Sequence, residues 1–321
     1  CFLLIPRPPR STRALSSPSS DLYKIQEKEL ITKNSIQHLL NHEGLRITVA
    51  DVTDAAKEAG NIHNLSLFSE IIIGKILAAT AALATDFKNH EGISLKWVTH
   101  SPLGIIRADA YEGHYVRGFI ENPEAEAFDK YDPAEEKRLV CENAQLFVTR
   151  YSLLKQPYIS TVNASCNSIS EGLTSYLNES DQTDSYLDIQ FQLGEDGKLE
   201  RVACFLAQMT PQANKKLYDD LFILNSKGWK IFGDKEDASS LSFLIDKEGF
   251  LPIGESVIKF QCTCNLDHIR NSLLLLSETE RNELLEDEVT EVCCHYCGKK
   301  YNIPRSTLVK WFNDEKGEGI Q

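Results

Sequence analysis

With 321 residues, 42% of them hydrophobic, the chain is long enough to bury a sizeable core and to divide into two or more cooperating units. Its formal charge of -13, from 47 acidic against 34 basic side chains, repels phosphate backbones unless a local basic patch exists. The longest apolar run, Ile71 to Leu83, is interrupted by Lys75, closed by Asp86, and short of the roughly 20 residues a bilayer requires, so a buried amphipathic helix is expected there and no membrane partner.

Residues 1–20 set Arg7, Arg10 and Arg13 among serines, with no acid before Asp21. That composition resembles an organellar transit peptide. The preferred reading is an upstream stretch without structure, and it is set aside from the fold. Residues 28–43 read as a short helix or a mobile lead-in. Arg46 to Val52 alternates as a strand does. A helix is expected from Asp54 to Ala59, stopped by Gly60. Leu65, Phe68, Ile72, Ile76, Ala79 and Leu83 recur at helical spacing, which predicts a core helix over 65–85.

Strands follow at 93–98, 105–110 and 115–120, the last two joined at Glu112-Gly113. More are expected at 145–151 and 157–163. Ser170 to Leu177 reads as a helix, and 186–193 with 199–207 as a hairpin turning at Gly194 to Gly197. The fold class is α+β: an N-terminal domain with a largely antiparallel sheet and packed helices, a helical linker, and a small C-terminal four-cysteine zinc-binding domain. The divisions are a tail at 1–20, the N-terminal domain at 21–210, the linker at 211–254 and the zinc unit at 255–321. In the linker Leu217, Leu221 and Leu224 share a helical face. Trp229, Ile231 and Phe232, and Leu241 with Phe243 to Ile245, form further apolar patches, suited to packing on another surface.

The chain has nine cysteines, but its length needs no disulfide staples, and five of them fall between Cys262 and Cys297. That clustering points to metal or redox chemistry in a reducing compartment. Cys262-Thr263-Cys264 is one close pair. Cys294-His295-Tyr296-Cys297-Gly298 is a knuckle-like second, with a glycine where the backbone must fold back toward the sulfurs. Two helices are expected between them, one carrying Leu266, Ile269 and Leu273, the other opened by Ser277 and Glu280 in capping-box spacing. Together these predict one zinc on Cys262, Cys264, Cys294 and Cys297. Cys293 leaves a second register open, and His295 is an alternative ligand. Four thiolates leave no open coordination position, so the site is structural rather than hydrolytic, yet thiolate is also the oxidisable form of cysteine.

Little other chemistry is visible. Gly194 to Lys198 lacks the spacing of a P-loop, and neither G-x-S-x-G nor H-E-x-x-H occurs. His38, His42, His63, His90, His100, His114 and His268 read as surface or packing residues. Cys141, Cys166 and Cys204 read as small hydrophobes on sheet or sheet-edge segments. No catalytic residue and no other cofactor site is expected.

The ordered motifs resemble the Hsp33 family of redox-regulated holdases from about residue 45 to about 305. Phe260-Gln261-Cys262-Thr263-Cys264 and Cys294 to Gly298 carry the metal unit. Ser101-Pro102-Leu103-Gly104, Arg107 to Ala110, Val116 to Pro123, Gln156-Pro157-Tyr158, Glu179 to Gln182 and Phe205 to Gln208 carry the first domain. Ala203-Cys204 and Ser160 depart from the glycines usual at those places. The resemblance implies a cytosolic, ATP-independent chaperone of the stress response, and no enzyme. In the family the reduced, zinc-bound form is inactive. Oxidation joins cysteines within each pair, here Cys262 to Cys264 and Cys294 to Cys297. Zinc is then released, the zinc unit unfolds, and apolar surface binds unfolding clients while the protein forms a homodimer. Two other classes compete. A zinc-ribbon nucleic-acid binder is opposed by nine acids against Lys259, Arg270 and Arg281 between Glu255 and Cys297. A thiol-disulfide oxidoreductase would need a catalytic thiolate outside the metal site.

Overall fold

The structure, a computed structural model, describes residues 31–318 except 86, 88–90, 126–127, 153–154, 181–183, 212, 214–227 and 234. Residues 1–20 and the face of Leu217, Leu221 and Leu224 lie outside the described residues. The fold is α+β, with two large sheets and a two-stranded one among the described residues, antiparallel in every pairing of named strands but one.

In chain order the first elements are β1 (Ser35–Leu40), β2 (Leu45–Asp51), α1 (Thr53–His63) and α2 (Leu67–Leu83). Then come β3 (Gly92–Val98), β4 (Ile105–Tyr111), β5 (Tyr115–Ile120), α3 (Pro133–Glu136, continued by a π-helical turn over Lys137–Cys141), β6 (Gln145–Ser152) and β7 (Lys155–Asn163). They are followed by α4 (Ile169–Glu179), β8 (Ser185–Leu193), β9 (Leu199–Met209), α5 (Leu241–Lys247), β10 (Leu251–Val257) and β11 (Lys259–Phe260). One sheet has the order β10-β1-β2-β9-β8, the other β11-β5-β4-β3-β6-β7. The β4–β5 turn is where Glu112-Gly113 places it: both residues have positive φ, His114 N–H donates to Tyr111 O at 3.4 Å, and residues 112–114 separate the paired Tyr111 and Tyr115.

Helix α2 lies between the two sheets. Its residues from Ile71 to Ala82 are all buried, and Phe68, Ile72, Ile76 and Leu77 join Trp97 and Ile106 in one core. The amphipathic reading is corrected here: a helix enclosed by two sheets needs no polar face. Its one ammonium, Lys75, is neutralised by buried Glu136 and donates to the Tyr131 hydroxyl at 2.9 Å.

Two expectations near the N-terminus fail. Residues 35–40 form an edge-pairing strand rather than a helix. Gly60 does not stop α1. The helix runs on to His63 and ends at Asn64, which has φ 49 and ψ 49. Gly60 instead lets α1 approach α2, since a Cβ there would stand 3.1 Å from Glu70 Cγ.

The first sheet is covered on both faces, which explains the unbroken apolar run Val202 to Ala207 in β9. One face meets α2. The other carries Leu45, Ile47, Val49 and Phe205, packed under Trp229, Ile231, Phe232, Leu241, Leu244, Ile245 and Phe250. Thus the apolar patches of the linker lie on the outer face of this sheet. Of the three cysteines expected on sheet segments, only Cys204 is in a strand. Cys141 ends the π-helical turn and Cys166 lies in the loop before α4.

Candidate metal centre

The chain reaches the first cysteine pair along a track of backbone bonds. β10 adds to the edge of the first sheet beside β1. Pro252 is tolerated because that strand lies at an edge, and the register shifts opposite His38 and Leu39. At buried Ile258 the chain crosses to the second sheet: Ile258 N–H donates to Asn34 O at 2.8 Å and Lys259 N–H to His114 O at 3.0 Å. β11 then lies parallel to β5, and Gln261 N–H donates to Val116 O at 3.0 Å. Cys262 and Cys264 follow at once.

Between the pairs stand α6 (Leu266–Leu273) and α7 (Glu278–Leu284). Asn265 caps α6, accepting from His268 N–H at 2.8 Å. Ser277 and Glu280 cap α7 reciprocally, as their spacing predicts. The second pair sits at the tip of a hairpin, β12 (Val289–Cys293) with β13 (Lys300–Pro304), whose tight turn places Cys294 N–H on Lys299 O and Gly298 N–H on Cys294 O, both at 2.9 Å. Gly298 has φ +66, the left-handed conformation its position after Cys297 suggested. Helix α8 (Arg305–Glu318) packs Leu308 and Phe312 against Ile269, Leu273, Tyr301 and Ile303. The hairpin and α8 were not read from the sequence.

The sulfurs of Cys262, Cys264, Cys294 and Cys297 all lie within 4.8 Å of one another. Cys262 Sγ is 3.7 Å from Cys294 Sγ, and Cys264 Sγ is 3.4 Å from Cys297 Sγ. A tetrahedron of thiolates at about 2.3 Å from a zinc ion has sulfur–sulfur edges of about 3.8 Å, so the donor set and spacing fit that ion. Cys293 is outside the group, exposed, its Sγ 3.4 Å from Gly298 O. His295 is exposed too, but its ring meets that of Phe119 edge-on at 5.5 Å.

Neighbouring groups act on the sulfurs. Burial pushes the Cys262 and Cys297 thiols up. Burial acts the same way on Cys264, but is outweighed by hydrogen bonds, the Tyr301 hydroxyl at 3.2 Å foremost, so this thiol is held below its ordinary value. Arg117 on β5 donates to Cys262 Sγ at 3.7 Å and to Thr263 Oγ1 at 3.2 Å. Its guanidinium also pairs with Asp109 at 2.9 Å and stacks over the Tyr296 ring, 4.1 Å from the centroid. Burial works against that charge, but Asp109 dominates and raises Arg117 above its ordinary value.

The metal unit therefore docks on the N-terminal domain. Phe119 meets the Tyr296 ring edge-on at 5.0 Å, His63 Nε2 is 3.2 Å from Tyr296 O, and Tyr111 OH donates to Gln261 O at 2.6 Å. Sequence reasoning did not find these contacts. Arg107-Ala108-Asp109-Ala110 and Val116-Arg117-Gly118-Phe119 were visible as motifs, but only the folded sheet shows that they face the second knuckle.

The family model described as Hsp33 protein matches residues 34–304. Relatives include the 33 kDa chaperonin of Aquifex aeolicus, 27% identical over 288 residues and covering 86% of this chain and 88% of that one. The 33 kDa chaperonin of Desulfotalea psychrophila is 27% identical over 284 residues, covering 85% and 95%. A crystal structure of the 33 kDa chaperonin (heat shock protein 33 homologue) from Thermotoga maritima superposes with a TM-score of 0.73 at 22% identity, over 89% of this chain and all of that one. That last likeness concerns the fold.

Proposed function

The chain belongs to the Hsp33 family, and from that premise we propose that it is a redox-regulated, ATP-independent holdase whose C-terminal unit keeps the linker in place. Chaperone function follows from the family; the redox switch is our reading. The observation that carries it is the clustering of four thiols at the end of a backbone track that begins on the sheet the linker covers.

Cys262, Cys264, Cys294 and Cys297 would hold one zinc ion, which would tie the two arms together and keep the four sulfurs ionised. Oxidation joins Cys262 to Cys264 and Cys294 to Cys297. Each bond takes two electrons from a thiol pair and passes them to a peroxide, which leaves as water. Disulfide sulfurs are poor ligands, so each bond withdraws half of the donor set. The unit then depends on Ile269, Leu273, Tyr301, Ile303, Leu308 and Phe312, too few side chains to hold it. With its unfolding, the contacts of Arg117, Phe119 and His63 are lost and the track through β11 and β10 loosens. Next in line is the cover of Trp229, Phe232, Leu241 and Leu244 over Leu45, Ile47 and Phe205. Uncovered apolar surface of this kind captures unfolding proteins and promotes homodimers.

The working units in this reading are 21–210, 211–254 and 255–321. β9 ends at Met209, while β10 runs across residue 254 and is bonded to the first sheet. A cytoplasmic setting suits thiols that must begin reduced. Among the described residues no helix is long and apolar enough to cross a membrane. Neither nucleic-acid binding nor enzymatic turnover is part of the proposal.

The test is light scattering from an aggregating client at mild warming, with reduced protein, peroxide-treated protein and a variant with all four ligands changed to serine. Suppression by the oxidised protein alone among the two wild-type forms is expected. Equal suppression by both removes the switch, and suppression by neither removes the holdase.

A further inference from the structure

Outside the metal centre two more thiols meet. Cys141, at the end of the π-helical turn, is fully buried, and Cys166, before α4, is partly exposed. The segments that carry them run side by side, and Trp97 borders both. Two hydrogen bonds join the two segments and a third anchors one of them to β3. Ala164 N–H donates to Ala144 O at 2.8 Å, where β6 and β7 end. Ile169 N–H, the first of α4, donates to Glu136 Oε1 at 3.0 Å. Trp97 Nε1 donates to Val140 O at 2.7 Å, anchoring the residue before Cys141. Cys166 Sγ lies 2.9 Å from Ala164 O and 3.0 Å from Ser168 O. Gly172 makes room for it: a Cβ there would stand 3.0 Å from Cys166 Sγ and 2.8 Å from the Trp97 ring.

We propose that Cys141 and Cys166 are a second oxidisable pair, converted by hydrogen peroxide or an alkyl hydroperoxide to a disulfide inside the N-terminal domain. Cys166 attacks first, being the partly exposed sulfur. The contact with Cys141 holds its thiol below the ordinary value, while that contact and burial raise the Cys141 thiol. A partly exposed, more acidic thiol beside a resolving one is the arrangement of redox-sensing cysteines. The Cys166 thiolate attacks a peroxide oxygen, the O–O bond breaks, and the departing oxygen takes up a proton to leave as water or alcohol. Cys166 is then a sulfenic acid. Cys141 sulfur attacks the Cys166 sulfur, the S–S bond forms, the S–O bond breaks, and the hydroxyl leaves with the Cys141 proton as water. Two thiols have lost two electrons and the peroxide has gained them.

The bond would close a loop over residues 142–165, which contains β6 and β7. Cross-linking a loop removes freedom from the unfolded chain. Oxidation would thus staple the N-terminal domain. This inference is independent of the holdase reading.

Full-length reduced protein is treated with hydrogen peroxide, its remaining thiols are blocked, and non-reduced peptides are mapped by mass. The expected result is a Cys141–Cys166 linked peptide, two hydrogens lighter than its parts, with Cys204 recovered as free thiol. Cys166→Ser abolishes the link, and Cys141→Ala leaves Cys166 as a sulfenic acid trapped by dimedone. Should Cys141→Ala fail to fold, wild type against Cys166→Ser decides alone, because Cys166 is not part of the fully buried core. Recovery of Cys166 as a free thiol or sulfinic acid, or linked to any other cysteine, while the cysteines of the metal centre are oxidised, overturns the proposal.

Discussion

Around α2 the N-terminal domain gathers Phe68, Ile72, Ile76 and Leu77 of that helix, Trp97 of one sheet and Val202 and Cys204 of the other, all fully buried. Among its described residues the C-terminal unit gathers a cluster of six buried apolar side chains, Ile303 and Leu308 the most deeply buried, and its helix α7 buries none. The first region stands on apolar area removed from water, at about 25 cal/mol per Å². The second has four cysteine sulfurs gathered in one place. Peroxide leaves buried hydrocarbon alone and rewrites thiolates, so one reagent can address one region and spare the other's core.

Removing the metal should break that contrast most. Structural zinc is worth on the order of 10–16 kcal/mol in units this small. Cys294→Ser is expected to lose the metal and unfold the C-terminal unit. Cys293→Ser is expected to keep both, since its sulfur lies outside the cluster. Metal analysis alongside circular dichroism reads this, and metal loss in Cys293→Ser alone would reverse the ligand assignment.

The opposite perturbation comes next in size. Trp97→Ala removes a fully buried ring and its bond to Val140 O, and should lower N-terminal domain stability by about 3–5 kcal/mol. Metal content should be unchanged. A denaturant titration with metal analysis checks this, and loss of metal at the native baseline would mean the two regions are not separate.

A smaller effect is expected where they touch. Arg117→Leu takes away the donor to Cys262 Sγ and Thr263 Oγ1 and the stack on Tyr296, and leaves buried Asp109 with Arg107 alone. With Arg117 partly exposed, a cost on the order of 2 kcal/mol is reasonable. The metal should stay bound while peroxide activates the variant at lower dose. An unchanged dose response would show that docking does not restrain the switch.

The four-cysteine cluster was legible because the signal is local: two close pairs, a glycine after the second, and a capping box between them. Strands β3 to β9 were legible because alternation and turn residues are local too. β10 was not, since Pro252 and Gly254 are poor strand formers, and its edge position beside β1 is what makes them acceptable. Nor was β1, whose Gln37 and His38 interrupt the apolar pattern. Gly60 read as a stop because the demand that keeps it, the approach of Glu70, comes from another helix. Arg117 and Asp109 stood in visible motifs, but their partner Tyr296 is far along the chain, and spacing carries no information about such a meeting. The same holds for Cys141 and Cys166, read as separate hydrophobes and found together.

Hydrogen exchange on full-length protein before and after peroxide treatment, with zinc release followed in parallel, tests the division most directly. The account predicts that amides of β12, β13 and α6 lose protection as zinc is released, that α5 and β10 follow, and that α2 and β3 keep theirs. Protection retained in β12 and β13 after the zinc has gone, or lost together in α2, would contradict it.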